Sequence, residues 1–541
     1  MAASETSNKR HISIYDTTLR EGSQCVGISL TLADKISLCL ELDRLGVDFI
    51  EGGLAGSSPK DDAFYTEMQG KKLSGAKLVA FGQTVKSGMK PSEDRMLKAL
   101  CDAGTEYVSV FGKTSAVQAK EVLGVSPEDN VKMISDTVDY LVKTGKKVFF
   151  DAEHYFDGFK ANPDYSIRCI SAALSSGAFK IVLCDTNGGV LPFEIEEIIE
   201  KTLRNVPSLR GNFGIHVHND SGTADYSTVL AARLSADVAQ VAVNGWGERC
   251  GNANLFTVVP NLSLKLGFDT IPDLSVLYDF AHRFCETANV KMWEFSPFVG
   301  KHAFSHKAGV HIDAVRKYSS AYEHVAPESV GNSRKFMLSE QAGRAAVIAK
   351  VDELLPKLGF SISDAGVIVD KIKELELLGY RFEGADASFE MLVKDILGIR
   401  KSWFHLNTYK VVVFDSDDAK AHSENDKSGV TASAIVDVTV DNRREITADN
   451  GIGPVDALDK ALRKALTSFY PSIANMYLVD YKVRVLESKL ATASVVRVVV
   501  ESSDGKKNWC TVGVSGDIIK ASFDALVDSY TFMLDNNLGS S

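Results

Sequence analysis

Three features that this sequence lacks limit the classes of protein that it can encode. Its eight cysteines are scattered singly along 541 residues, with no C-x-x-C pair. This spacing argues against a disulfide framework or a zinc ribbon, so we predict a cytoplasmic protein. No run reaches the roughly 18 consecutive apolar residues of a membrane span, and the net charge of −11 disfavours nucleic acid as the main partner.

The first ten residues are polar and lack the apolar core of a secretory signal. We predict a disordered leader over residues 1–10, with a short organellar signal as the alternative.

Between His11 and Gly267 the chain repeats one pattern, a short β-branched or aromatic run followed by a turn and an amphipathic stretch. The pattern predicts eight strands. These are HISIYD (11–16), VDFIEGG (47–53), KLVAFGQ (77–83), EYVSVFG (106–112), KKVFFDAEH (146–154), KIVLCDT (180–186), FGIHVHND (213–220) and ADVAQVAVNG (236–245).

Eight βα units in series favour an α/β fold of the (β/α)8 TIM-barrel type, which we assign to residues 11–280. An open doubly wound sheet is the alternative, because strand order is not visible in a sequence. No G-x-G-x-x-G motif follows the first strand, and this disfavours a dinucleotide-binding sheet.

The pattern changes beyond the barrel. Residues 281–408 read as helical linker subdomains with a histidine-rich segment at 300–315. Residues 409–541 alternate strands with two helices, PVDALDKALRKALTSF and IIKASFDALVDSYTFML, and predict a C-terminal α+β domain. A charged break at 415–429 reads as an exposed loop.

Polar residues cluster at the predicted C-terminal ends of the barrel strands, where barrels of this type carry their chemistry. His216 and His218 are two apart on a strand and therefore point to the same side. With Glu21 they form a two-histidine, one-carboxylate set that suits a divalent metal, and Asn252 could join it. The alternative is a pair of structural histidines. Mixed nitrogen and oxygen ligands leave magnesium, manganese, zinc and cobalt open.

Five segments resemble the acetyl-CoA-dependent 2-oxo acid condensing enzymes, the family of isopropylmalate, homocitrate and citramalate synthases. Their barrel is shared with hydroxymethylglutaryl-CoA lyase. The segments are LREGSQ (19–24), HVHNDSG (216–222), GERCGNA (247–253), HKAGVHID (306–313) and GIGPVDAL (451–458). Tyr226 departs from the pattern, which usually has a small or aliphatic residue there.

The resemblance implies a role for each matching position. Glu21, His216, His218 and Asn252 would bind the metal. Arg20 would contact the 2-oxo group, Thr186 would bind the substrate carboxylate, and Glu153 would complete an acidic, arginine and glutamate triad. His311, Asp313 and Tyr322 would assist proton transfer, and either His311 or Glu153 could be the base.

Several segments resemble the citramalate synthase branch most, which condenses acetyl-CoA with pyruvate. Isopropylmalate synthase is the nearest alternative. A lyase using Cys250 and a non-catalytic amino-acid sensor are alternatives of other classes. The resemblance also implies that the C-terminal domain is regulatory, forms a homodimer and binds isoleucine or leucine near Gly513 to Ile519.

Overall fold

The computed structural model describes residues 9–338, 343–356, 358, 362–414, 432–486 and 494–538. The predicted break at 415–429 and most of the predicted leader therefore lie outside the described residues. The described chain divides into two compact units, residues 1–304 with 324–334, and residues 305–323 with 335–541. The three-domain division remains a prediction.

The first unit is a closed barrel of eight parallel strands in sequential order, which confirms the predicted fold class. All eight predicted strands are present. Their bounds are Ser13–Asp16 (β1), Phe49–Leu54 (β2), Lys77–Gln83 (β3), Tyr107–Lys113 (β4), Lys147–Glu153 (β5), Lys180–Asp185 (β6), Phe213–Val217 (β7) and Val238–Val241 (β8).

Helices surround the barrel and bury their apolar faces against it. They are Leu32–Leu45 (α1), Pro59–Gln69 (α2), Arg95–Asp102 (α3), Ala116–Glu121 (α4), Pro127–Lys143 (α5), Tyr155–Ala161 (α6), Pro163–Ser175 (α7), Pro192–Asn205 (α8), Ala224–Arg233 (α9), Leu255–Pro260 (α10) and Leu277–Thr287 (α11). The local sequence determines where several of these helices begin. Helix α1, for example, begins at a capping box in which Thr31 and Asp34 satisfy each other's backbone N–H groups.

The second unit contains two small strands, six helices and two three-stranded antiparallel sheets within its described residues. The small strands are Ser305–His306 (β9) and Lys335–Phe336 (β10), and the first four helices are Gly309–Lys317 (α12), Arg344–Leu354 (α13), Ile362–Leu377 (α14) and Asp386–Ile396 (α15).

The C-terminal part of this unit is an internal repeat of three strands and a helix. The first copy is His405–Val413 (β11), Ala432–Val440 (β12), Arg443–Gly451 (β13) and Pro454–Thr467 (α16). The second copy is Tyr477–Val485 (β14), Val496–Ser503 (β15), Asn508–Ser515 (β16) and Ile518–Leu538 (α17). The two copies share one apolar core.

None of the helices within the described residues combines the length and apolar character that crossing a bilayer requires.

Candidate active site

The position of the site follows from the alternation of side chains along the barrel strands. The lowest inward layer is apolar and fills the barrel with residues such as Tyr15, Phe49 and Phe149. Residues two positions further along a strand point to the same side. On β2 and β5 those next inward residues are Glu51 and Asp151, so the barrel interior becomes polar one layer above its apolar floor.

A cavity of about 440 Å³ opens at the C-terminal ends of the strands. It is the place where barrels of this type carry their chemistry. Six of the residues predicted from sequence line it together: Arg20, Glu21, Glu153, Thr186, His216 and His218.

Arg20 lies in a cage of acidic and aromatic groups at the cavity wall. Its Nε donates to Oε1 of Glu51, and its Nη1 donates to Oε2 of Glu21. The guanidinium carbon lies 3.8 Å from the centre of the Phe81 ring. Burial alone would lower the pKa of Arg20, but Glu51 and Glu21 outweigh it and hold that pKa above its ordinary value, so the side chain stays charged.

His216 and His218 lie next to each other, with their ring centres 5.0 Å apart. Burial, and secondarily the neighbouring His218, lowers the pKa of His216 to about 3. Burial also lowers the pKa of His218. Both imidazoles are therefore neutral near pH 7, which is the form that binds metals.

Two buried polar atoms beside these histidines have no hydrogen-bond partner, Nδ1 of His218 and Oδ1 of Asn252. The two residues face each other across an isolated antiparallel bridge. Buried polar atoms almost always have a hydrogen-bond partner. The two unpaired atoms therefore fit the role of lone-pair donors to a metal ion. The Asn252 amide is fixed by donating from Nδ2 to the Trp246 carbonyl at 2.9 Å.

Glu21 completes the set of donors. Its Oε1 lies 3.6 Å from Nε2 of His218, while its Oε2 accepts from Arg20. Within the described residues, no three histidine, cysteine or acidic side chains already stand close enough to hold a metal ion. The donor types fit a divalent metal, and one oxygen of Glu21 is engaged by Arg20.

Glu153 ends β5, Thr186 directly follows β6, and both line the cavity. Lys113 Nζ is 2.7 Å from Oε2 of Glu153. Thr186 Oγ1 accepts the His154 backbone N–H at 2.9 Å, so its own hydroxyl hydrogen can be donated into the cavity.

Sequence reasoning assigned no role to Asp151 and Arg249, which line the cavity, or to Glu51, which accepts a hydrogen bond from Arg20. Glu51 and Asp151 are buried, and burial followed by repulsion from Glu51 raises the pKa of Asp151 to about 7. Arg249 also lines the cavity and donates to both Asp220 oxygens and to the Thr186 carbonyl. The alternation on β2 and β5 places the two acids on the same strand faces as Phe49 and Phe149, but it does not show that these faces point inward. A loop residue such as Arg249 gave no periodic signal.

The remaining predicted residues lie elsewhere. Cys250, the candidate of the lyase alternative, is exposed and does not line the cavity. His311 and Tyr322 belong to the second unit and stack on each other with ring centres 4.1 Å apart. Asp313 pairs with Lys317 at 2.7 Å. Next to them, His306 and the buried Glu323 form a 3.0 Å contact that the sequence did not suggest.

Three family models match consecutive parts of the chain. An "HMGL-like" model matches residues 11–283, a "Homocitrate synthase post-HMGL domain-like" model matches 298–377, and a "LeuA allosteric (dimerisation) domain" model matches 383–534. With the closed barrel, they define an HMGL-like barrel enzyme that carries a LeuA-type C-terminal domain.

Similarity to curated proteins identifies the family within this class of enzymes. The chain is 44% identical to "(R)-citramalate synthase" of Aquifex aeolicus, over 96% of this chain and 97% of the relative. It is also 44% identical to the protein of the same name from Synechocystis, over 97% and 96%. A "Probable 2-isopropylmalate synthase" of Archaeoglobus fulgidus is 29% identical over 97% of both chains. The chain belongs to the family of (R)-citramalate synthases, which are acyltransferases.

Proposed function

We propose that the chain condenses acetyl-CoA with pyruvate to give (R)-citramalate and free CoA. The observation that supports this most is the cavity itself, in which Arg20, Thr186, Glu21 and two neutral histidines face one space at the strand ends. This group can bind a 2-oxo acid at its carboxylate and at its carbonyl oxygen.

The 2-oxo acid is held from two sides. Thr186 donates its hydroxyl to the carboxylate, and Arg20 donates to the 2-oxo group. Glu21, His216, His218 and Asn252 would hold a divalent metal. Polarisation of the 2-oxo carbonyl is the chemistry that such an ion supplies when bound.

Carbon–carbon bond formation needs the acetyl methyl group to lose a proton, after which the enolate carbon attacks the 2-oxo carbon. Negative charge then develops on the former carbonyl oxygen, where Arg20 is fixed by Glu51 to receive it. Hydrolysis of the resulting thioester releases CoA.

Two bases are candidates for the first step, Glu153 in the cavity wall and His311 in the second unit. Exchange of deuterium into the acetyl methyl group distinguishes them. Glu153→Gln stops the exchange if Glu153 is the base, and His311→Gln stops it if His311 is the base. Asp313 and Tyr322 are proposed to position His311, the second through its ring stack.

Pyruvate is favoured over larger 2-oxo acids by the aromatic wall. Phe81 and Phe111 both line the cavity and stack with their ring centres 5.5 Å apart at 22°. Because Phe81 also packs on Arg20, this wall lies beside the group that contacts the 2-oxo acid and limits the room for its side chain.

The C-terminal domain is proposed to form a homodimer and to bind a feedback amino acid, isoleucine for this reaction, near Gly513 to Ile519. Strand β14 supports the dimer. Tyr481, Val483 and Val485 pair with Val500, Val498 and Val496 of β15, which are buried, yet they are themselves 37%, 40% and 53% exposed. The face of the sheet is thus buried at β15 but exposed at its edge strand β14. A second copy of the chain would cover these exposed apolar side chains.

The central test is thiol release from acetyl-CoA with a panel of 2-oxo acids, with and without chelator and with added isoleucine or leucine. Pyruvate should give the highest kcat/KM, chelator should abolish turnover, and isoleucine should inhibit. A faster reaction with 2-oxoisovalerate would overturn the substrate assignment, and turnover that survives the chelator would overturn the metal assignment.

A further inference from the structure

A single residue connects strand β5 to helix α6. The strand ends at Glu153 and the helix begins at Tyr155, so His154 makes the whole turn. A βα connection usually has roughly two to six residues. The backbone of His154 is left-handed, with φ 60° and ψ 35°. This conformation is unfavourable for a residue with a Cβ, and strained backbone of this kind is concentrated at functional sites. The turn therefore indicates a role for His154 beyond joining two elements.

The backbone N–H of His154 is directed at the side chain of Thr186. His154 is the N-cap of α6, so its N–H has no partner within the helix. It donates instead to Thr186 Oγ1 at 2.9 Å. The hydroxyl hydrogen of Thr186 cannot point toward this donor and must point elsewhere. Because Thr186 lines the cavity, the contact sets the direction in which its hydroxyl can donate.

A second residue with a left-handed backbone also holds Thr186. Arg249 has φ 54°, and its Nη2 donates to the Thr186 carbonyl at 2.9 Å. The side chain and the main chain of one threonine are thus each fixed by a donor, one from the loop after β5 and one from the loop after β8. The orientation of Thr186 is the property that both strained residues maintain.

The ring of His154 joins the same loop to the residues after β6. The imidazole is buried, and its Nδ1 lies 3.1 Å from Oδ2 of Asp157. Since a carboxylate oxygen accepts, Nδ1 carries the hydrogen. The same oxygen accepts from Nδ2 of Asn187 at 3.1 Å, and Asn187 directly follows Thr186. The two loops are therefore connected twice, once by the N–H of His154 and once through Asp157.

We propose that His154 is a positioning residue for the carboxylate of the 2-oxo acid. Its N–H and its ring hold Thr186 so that the hydroxyl hydrogen is presented to that carboxylate. This role rests on the proposed function, in which Thr186 binds the carboxylate, and it assigns the strained turn to the 2-oxo acid rather than to acetyl-CoA. Hydrogen bonds to charged groups are strong and directional, so a misdirected hydroxyl weakens the binding of the 2-oxo acid.

Steady-state kinetics with pyruvate and acetyl-CoA varied in turn test the proposal. His154→Val disfavours the left-handed backbone and removes the ring. It should raise the KM for pyruvate about tenfold or more, as expected for a lost hydrogen bond to a charged group, and leave the KM for acetyl-CoA within about twofold. His154→Asn should recover most of the loss, because asparagine tolerates this conformation and its Nδ2 takes the place of Nδ1.

Asn289→Val is the matched control. Asn289 also has a left-handed backbone, with φ 54°, but it is exposed and lies outside the cavity. Both valine variants should melt at a lower temperature than the parent chain, whereas only His154→Val should change the KM for pyruvate. Asp157→Ala removes the partner of the ring and leaves the residue at the turn in place, so it tests the proposal even if His154→Val does not fold. It should raise the KM for pyruvate and not that for acetyl-CoA.

A double variant separates the role of His154 from the proposed function. In a Thr186→Ala background, His154→Val should not raise the KM for pyruvate further, because the group through which His154 acts is gone. Additive effects, equal changes in the two KM values for His154→Val, or an unchanged KM for pyruvate in Asp157→Ala would overturn the proposal. If Thr186→Ala alone has the parent chain's KM for every 2-oxo acid, the assignment of Thr186 in the proposed function is itself wrong.

Discussion

Glu51 accepts a hydrogen bond from Nε of Arg20 inside the barrel, one layer above the apolar floor. The same carboxylate accepts from the Tyr15 hydroxyl at 2.7 Å through its other oxygen. Arg20 is therefore oriented from below by a buried anion, while its Nη1 side faces Glu21 and the cavity.

This contact predicts that Glu51→Gln impairs catalysis more than binding. Loss of the buried charge lets Arg20 turn toward Glu21, and misplacement of a catalytic group by about 1 Å can cost roughly 100-fold in rate. We expect kcat to fall by that order with a small change in the KM for pyruvate. Steady-state thiol release measures both. Tyr15→Phe, which removes only the second hydrogen bond to Glu51, should lower kcat less, and an equal loss in the two variants would contradict the role of the charge.

A second prediction concerns Glu21, which Arg20 and the metal would share. Glu21→Gln removes a charged ligand, and we expect Mn²⁺ affinity measured by calorimetry to fall by about 100-fold or more, because even outer-shell changes cost 10–100-fold. The circular dichroism spectrum should be unchanged. Glu93→Gln, on an exposed turn, is the control. Unaltered Mn²⁺ binding by Glu21→Gln would place the metal elsewhere.

The sequence predicted the barrel well because each strand carries its own short apolar pattern and the turns between them are marked. It predicted Glu153, Thr186, His216 and His218 as neighbours because the ends of parallel strands meet at one edge.

The sequence did not identify Glu51 as an interior residue, since which face of a strand points inward is decided only when the barrel closes. Strand β13 carries little of the alternating apolar signal that marks a strand, because its sequence, RREITADNG, is mostly polar, and its partner β12 supplies most of the apolar face. The burial of His218 Nδ1 and Asn252 Oδ1 without hydrogen-bond partners is a tertiary property that no local pattern encodes.

A third prediction tests the aromatic wall. Phe111→Ala removes the ring that stacks on Phe81, so the cavity gains room beside Arg20. Each methylene accommodated in an apolar pocket is worth about 1–3 kcal/mol, and we expect the ratio of kcat/KM for 2-oxoisovalerate to that for pyruvate to rise at least tenfold. Phe193→Ala changes an exposed ring outside the cavity and should leave the ratio unaltered. An unchanged ratio in Phe111→Ala would show that this aromatic wall does not determine the substrate specificity.

A fourth prediction concerns the apolar edge of β14. Val483→Glu places a charge on the face that we expect a second copy to cover, and burying an unpaired carboxylate is costly. Sedimentation velocity should show a dimer for the parent chain and a monomer for the variant at micromolar concentration. Lys482→Glu alters the neighbouring residue on the other face and should remain dimeric. Dimers of unchanged strength in Val483→Glu would exclude this strand from the interface.

The fifth prediction concerns the base of the barrel, where His11 lies between two carboxylates. Its Nε2 is 2.9 Å from Asp48 and its Nδ1 is 3.0 Å from Asp269. The hydrogen bond to Asp48, opposed by burial and aided by the charges of both aspartates, raises the pKa of His11 to about 9.

A pKa that is higher in the folded than in the unfolded chain stabilises the fold fully below the unfolded value of about 6.5, and this stabilisation is lost as the pH rises through 9. The imidazole is 41% exposed, so solvent screening limits its contribution to about 1 kcal/mol. Urea unfolding of the parent chain and His11→Gln should therefore differ by about that free energy at pH 6, by less at pH 8, and hardly at all at pH 9.5 or above. His405→Gln, at the exposed start of β11, is the control and should show no such trend. A difference between the parent chain and His11→Gln that is constant from pH 6 to 9.5 would mean that the two hydrogen bonds, rather than the charge on His11, stabilise the base of the barrel.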